Sequence, residues 1–203
     1  LLIMIHHHDF KKLTVAAYQK PKAGNQMCGD SYYVAETADY FICAVADGLG
    51  SGDLAKDSSL AAINVVKEHR DEDVESLMKR ANEEMRGKRG CVLSIFKLDL
   101  QTRQMDFSGI GNINLIIYQA DGRISRPISY SGYLSGKLQK VKVQTIDYPS
   151  GSSFVTYSDG VQISSKNYSM IAKFDSVHES FQHLTDSLPS TNDDITLLVG
   201  KTV

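Results

Sequence analysis

Asp47 closes the apolar run FICAVA (41–46) and is followed at once by Gly48, Leu49, Gly50, Ser51 and Gly52. A carboxylate at an inferred strand end therefore lies beside backbone that glycine lets come close. Asp159 closes SSFVTYS (152–158) in the same way and precedes Gly160; Asp193 and Asp194 immediately precede ITLLV (195–199); Asp30 follows Gly29 at the head of SYYVA (31–35). Paired strands bring their ends to a common edge, so residues remote in sequence converge there. Carboxylates gathered that closely repel one another unless cations sit between them. Oxygen-only donors select Mg2+ or Mn2+ over zinc.

Asp-Gly is also common turn punctuation. The sequence holds its own control in Asp121-Gly122, which lies between LIIYQA and RIS where a two-residue hairpin turn is expected. What separates Asp47 and Asp159 from that case is company: ordered GD, ADG, SDG and DDIT elements span nearly the whole chain.

The elements that must position these carboxylates are readable from periodicity. SYYVA and YFICAVA (40–46) form a hairpin about a polar turn at Asp39. Apolar residues at helical spacing predict helices over 53–68 and 73–86, with Gly87 as the stop and both packed on one side of a sheet. Strands follow at 91–100, 105–110, 113–119 and 123–129, expected as one antiparallel meander, then around 141–146 and 153–157. A helix carrying Phe174, Val177, Phe181 and Leu184 precedes the closing strand 195–199. Strands, helices, many strands, a helix and a strand, in that order, give a layered α+β domain rather than alternating βαβ units.

CGDSYY (28–33), AVADGLGSG (44–52), TYSDG (156–160) and NDDIT (192–196) resemble, in order and spacing, the PP2C-like metal-dependent serine/threonine phosphatases. Within that family ICAVADGLGSG (42–52), DVESLM (73–78) and SGYLSGK (131–137) look like the small bacterial branch that acts on anti-anti-sigma and stressosome proteins. The resemblance implies a four-layer α-β-β-α sandwich, two antiparallel sheets flanked by helices, with two Mn2+ or Mg2+ ions at one end. It implies that Asp47 bridges the ions, that the Gly48 carbonyl holds one, that Asp159 and Asp193 complete the shell of the other, and that Asp30 acts beside them through water. Asp194 stands where many relatives carry Asn. Leu49 replaces the His of larger eukaryotic relatives, the usual N-terminal phosphate-binding Arg is missing, and Asn112 stands where a third-metal Asp is often found.

The implied function is dephosphorylation of STAS-domain stressosome or anti-anti-sigma proteins by metal-activated water, as feedback on stress signalling. The rival readings are a catalytically weak phosphatase-fold docking module and another two-metal phosphoesterase. Lys88, Arg89, Tyr133, Leu134 and Lys137 are the candidate docking contacts for a phosphorylated partner.

The 203 residues carry 22 Lys plus Arg against 24 Asp plus Glu, so neither a nucleic-acid face nor a strongly charged surface is expected. Length predicts one domain over 13–203, working as a monomer in the cytoplasm. Residues 1–12, with LLIMI and then His6, His7 and His8, read as a terminal tail, too short for a signal peptide or a membrane span, and are kept out of the site. Cys28, Cys43 and Cys91 lack CxxC spacing and read as reduced thiols. His69, His178 and His183 fall in or beside helices and read as surface or packing residues.

Overall fold

The protein is described by a computed structural model covering residues 2–164, 166, 167, 171 and 175–203. Its strands are β1 (Met4–Asp9), β2 (Leu13–Lys20), β3 (Asp30–Glu36), β4 (Tyr40–Gly48), β5 (Cys91–Asp99), β6 (Gln104–Ile110), β7 (Asn114–Tyr118), β8 (Ile124–Ser125), β9 (Gln144–Asp147), β10 (Ser153–Tyr157) and β11 (Ile195–Thr202). The helices used below are α1 (Asp53–Glu68), α2 (Val74–Glu84) and α3 (Val177–Asp186). Two antiparallel sheets result, ordered β1-β2-β11-β10-β7-β8 and β3-β4-β5-β6-β9.

Strand periodicity explains the layering. Along β4, Phe41, Cys43 and Val45 point between the sheets, while Ile42, Ala44 and Ala46 point outward beneath α1 and α2. A strand buried on both faces reads as a continuous apolar run, which is why FICAVA shows no polar alternation. Leu198 of β11 likewise faces the inter-sheet core, whereas Leu197 and Val199 face Val177, Phe181 and Leu184 of α3. Helix, sheet, sheet and helix therefore stack as four layers. At the centre the rings of Phe41, Phe96 and Phe154 lie 4.9–6.1 Å apart, joining both sheets in one core.

Helix ends follow local chemistry. The Asp73 carboxylate caps α2 by accepting from the Ser76 amide at 2.8 Å, and Ser176 caps α3 by accepting from Glu179 at 3.1 Å. Gly87, at φ 77°, turns the chain out of α2.

The structure corrects several expectations. Residues 4–9, read as tail, form the edge strand β1, paired from Met4 opposite Gln19 to Asp9 opposite Thr14. His7 packs its ring 5.9 Å from that of Phe181, and His8 hydrogen-bonds Tyr32 through Nε2 and the hydroxyl at 3.0 Å. The imidazoles thus act as packing groups on a strand whose sequence looks polar. The meander over 91–129 is split: β5 and β6 pair in one sheet, but β7 crosses to the other and pairs with β10. The strand expected at 123–129 shrinks to β8, and the one around 141–146 is β9. Phe174, expected on the last helix, lies outside the described residues.

Candidate metal centre

The β3–β4 register sets Asp30 directly opposite Asp47, and Asp47 opposite Val92 of β5. Asp47-Gly48 is therefore ladder, not turn. Gly48 pairs with Cys91, and a Cβ there would run into the carbonyl oxygen of Ala55, so glycine is what lets the first turn of α1 pack against the strand end. Asp159-Gly160 does lie in a turn, closed by the Val161 amide donating to the Ser158 carbonyl at 3.1 Å. That turn delivers Asp159 to the cleft. Asp121-Gly122 is the plain hairpin turn between β7 and β8, with Gly122 at φ 88° and Asp121 accepting from the Arg123 amide at 3.0 Å.

A cleft of about 450 Å³ opens at this end of the sandwich, lined by Asp47, Gly48, Leu49, Gly50, Asn112, Asp159 and Asp193 together with Val92, Gly111, Ser131 and Gly132. Asp159 accepts from Asn112 Nδ2 at 2.8 Å, and Asp193 accepts from the Asp194 amide at 2.9 Å. Asp30 is sealed beneath the cleft, with no exposed surface. Ser158 Oγ donates to its Oδ2 at 2.8 Å and itself accepts from the Thr196 amide at 2.9 Å. Gln19 Nε2 spans the same joint, donating to Thr196 Oγ1 at 2.9 Å and to the Asp30 carbonyl at 3.4 Å, which Lys56 Nζ also reaches at 2.8 Å. The first strand of one sheet is thereby tied to β2, to β11 and to Ser158 just beyond β10 of the other at the depth of the carboxylates.

Burial raises the Asp30 carboxyl above its ordinary range, against the hydrogen bonds from Ser158 and Thr196 that favour its charged form. Asp47 is raised too, first by burial and then by the charges of Asp30, Asp159 and Asp193. Asp30 Oδ1 is buried without a hydrogen-bond partner. Among the described residues, no group of three or more His, Cys, Asp or Glu side chains is drawn together tightly enough to enclose a metal as it stands. Mutually repelling carboxylates with an orphaned buried oxygen nevertheless form a donor set of the hard-oxygen kind that Mg2+ and Mn2+ take.

Asp194 has a separate duty. It is buried, its Oδ1 accepts from the Lys22 amide at 2.8 Å, and a Cβ on Gly29 would lie 2.7 Å from its Oδ2. It fastens the connection between β2 and β3.

Of the docking candidates, Lys88, Arg89, Tyr133 and Lys137 are exposed. Leu134 is not: it is fully buried against Cys91 and the α2 layer, its amide donating to the Cys91 carbonyl at 2.8 Å and its carbonyl accepting in return at 3.2 Å. An apolar side chain in a glycine-rich loop has here been used to anchor the loop. Gln19, Ser158, Thr196 and Lys56, which hold Asp30, escaped the sequence reading because nothing in their type or spacing separates them from other polar residues. Cys28, beside Asp30, has its thiol pushed up to about 12 by burial and then by that carboxylate, which favours the neutral thiol over the nucleophilic thiolate.

Residues 37–203 match the family model described as Stage II sporulation protein E (SpoIIE). The chain is 38% identical over 198 residues to the phosphoserine phosphatase RsbX of Bacillus subtilis (strain 168), covering 98% of this chain and 99% of that protein. The crystal structure of RsbX in complex with magnesium superposes with a TM-score of 0.93 at 38% identity, over 98% of this chain and 100% of the other. A chain from the structure described as "The bacterial stressosome: a modular system that has been adapted to control secondary messenger signaling" shares the fold. It has a TM-score of 0.85 and 24% identity, over 94% of this chain and 100% of the other.

Proposed function

Because the chain belongs to the SpoIIE family of PP2C-type phosphatase domains and is a phosphoprotein phosphatase, we propose that it removes phosphate from serine or threonine of STAS-domain stressosome or anti-anti-sigma proteins, using two divalent cations. The observation that carries this reading is the convergence of Asp47, Asp159 and Asp193 on one cleft above the buried Asp30. Asp47 and the Gly48 carbonyl, with Asp159 and Asp193, would hold the ions, and Asp30 would steady them from below. The magnesium complex of RsbX supports a hard cation.

Bound there, Mn2+ or Mg2+ would neutralise phosphoryl oxygens and acidify water. The chain's own residues do the positioning. Asn112 fixes the Asp159 carboxylate by donating to one of its oxygens, and the other would be left for a cation. The Ser158–Thr196 pair fixes Asp30, and Gly48 lets the first turn of α1 close against the strand end that carries Asp47. Burial keeps the Cys28 thiol in its neutral form, which disfavours a thiol phosphoenzyme. The cytoplasm suits an enzyme with three unpaired cysteines.

The decisive assay incubates the protein with phosphorylated STAS-domain proteins, with and without Mn2+. Release of phosphate only with the ion is expected. Mn2+ binding without release of phosphate from any phosphoprotein would leave a docking module instead.

A further inference from the structure

The first arginine in the chain is Arg70, so the residues ahead of the Asp30 strand offer the cleft no guanidinium. A dianionic phosphomonoester still calls for a cation that grips its non-bridging oxygens, and the described lining of the cleft contains no Lys, Arg or His. One guanidinium stands at its rim. A Cβ on Gly50, a lining residue at φ 90°, would lie 2.5 Å from Arg89 Nη1, so the Arg89 side chain lies across the glycine loop in the space that the missing side chain leaves.

The backbone beneath Arg89 is fixed from two directions. The Leu49 amide donates to the Gly90 carbonyl at 3.0 Å, tying this loop to the one after Asp47. Cys91 is bonded both ways to Leu134, and a Cβ at Gly90 would come within 3.1 Å of the Tyr133 ring. Asp47, Asp159 and Asp193 share the cleft, yet no carboxylate among the described residues pairs with Arg89; the neighbouring Lys88 is engaged with Glu84 at 4.0 Å. The backbone on either side of the guanidinium is held, and among the described residues the guanidinium itself is uncommitted.

We propose that Arg89 is the phosphate-gripping residue of this enzyme, donating N–H groups to non-bridging oxygens of the phosphoryl group seated over the aspartates. The assignment rests on the phosphatase reading, and makes Arg89 part of the reaction site rather than of a remote docking surface. Guanidinium is suited to it, because its planar fork matches two phosphate oxygens at once while an ammonium meets them as a point charge.

The test uses Arg89→Ala and Arg89→Lys with two probes too small to touch a docking surface, p-nitrophenyl phosphate as substrate and inorganic phosphate as ligand of the Mn2+-loaded protein. Arg89→Ala is expected to weaken phosphate binding in calorimetry, and to raise the KM for p-nitrophenyl phosphate, by about ten-fold or more, as loss of a charge-assisted hydrogen bond does. Arg89→Lys should recover part of both, with Mn2+ affinity and Tm unchanged throughout. Equal phosphate affinity in wild type and Arg89→Ala would overturn the assignment, as would a defect confined to a folded phosphoprotein. If the wild type turns over no phosphomonoester, the phosphatase reading fails, and the phosphate titrations still decide the arginine.

Discussion

Asp30 and Asp47 face each other across the first rung of the β3–β4 ladder, one sealed under the sheet end and the other opening into the cleft. Two carboxylates on one rung are a like-charge pair that a sheet ordinarily avoids. Protonation, which the raised pKa of both favours, relieves that repulsion in the metal-free protein, and a bound cation would relieve it by charge.

Asp47→Asn and Asp159→Asn should each lower kcat by about a thousand-fold or more, since both face the cleft that would hold the cations. Asp121→Asn, in the exposed β7–β8 turn, should leave kcat within about two-fold. Steady-state kinetics on one phosphorylated substrate compares the three. Equal losses would deny Asp47 and Asp159 any part in turnover beyond that of Asp121.

Excess EDTA should abolish turnover and Mn2+ or Mg2+ should restore it, because all-oxygen sites exchange such ions with solvent. Saturating Mn2+ should also raise Tm, by the stabilisation that any ligand of the native state brings. Differential scanning fluorimetry across a Mn2+ titration checks this without recourse to turnover.

The pH dependence of the metal-free protein follows from Asp47. Its folded pKa is raised above the ordinary carboxylate range, so the folded state binds more protons than the unfolded chain. Its contribution therefore destabilises increasingly as pH rises from about 4. Asp47→Asn should flatten that fall and raise the metal-free Tm at pH 8 by about 2–4 °C, equivalent to roughly 1 kcal/mol. A metal-free Tm unmoved by the substitution would contradict it.

Gly48→Ala should cost about 1–3 kcal/mol of stability, or more, because the new methyl meets the Ala55 carbonyl in the first turn of α1. Urea denaturation measures it. Gly52→Ala meets nothing within 4 Å, but φ 74° with ψ −155° is backbone open essentially to glycine alone, so it should cost about 1–3 kcal/mol through backbone strain without any clash.

A phosphorylated STAS domain should be turned over faster than a phosphopeptide of its own sequence, since contacts remote from the phosphate add binding energy. Tyr133, half exposed beside the cleft-lining Ser131 and Gly132, is the best placed supplier, and Tyr133→Ala should reduce kcat/KM about ten-fold for the folded domain only. Leu134 drops out of that surface, being buried.

Much of the architecture could be read from the chain because its strands and helices carry undiluted periods, as in FICAVA and the paired helices that follow it. The carboxylates were legible as a convergent set for the same reason: each ends or begins an obvious strand. Sheet membership was not. INLIIY looks the same whether it continues a meander or crosses to the other layer, because a strand buried on both faces loses the alternation that marks a side. β1 hid behind three histidines, whose polarity says nothing of rings packed on Phe181 and Tyr32. Leu134 shows the converse, an apolar residue in a loop whose burial is decided by a partner strand far away in sequence.

The three thiols carry a consequence of their own. Cys28, Cys43 and Cys91 are all buried, each held in its neutral form by that burial, and the groups assigned to chemistry are carboxylates, a carbonyl and a guanidinium. Peroxide attacks thiolates, so phosphatases that work through a cysteine are silenced by it. This protein offers an oxidant no such handle, and dephosphorylation here would continue under oxidising conditions that shut those enzymes down.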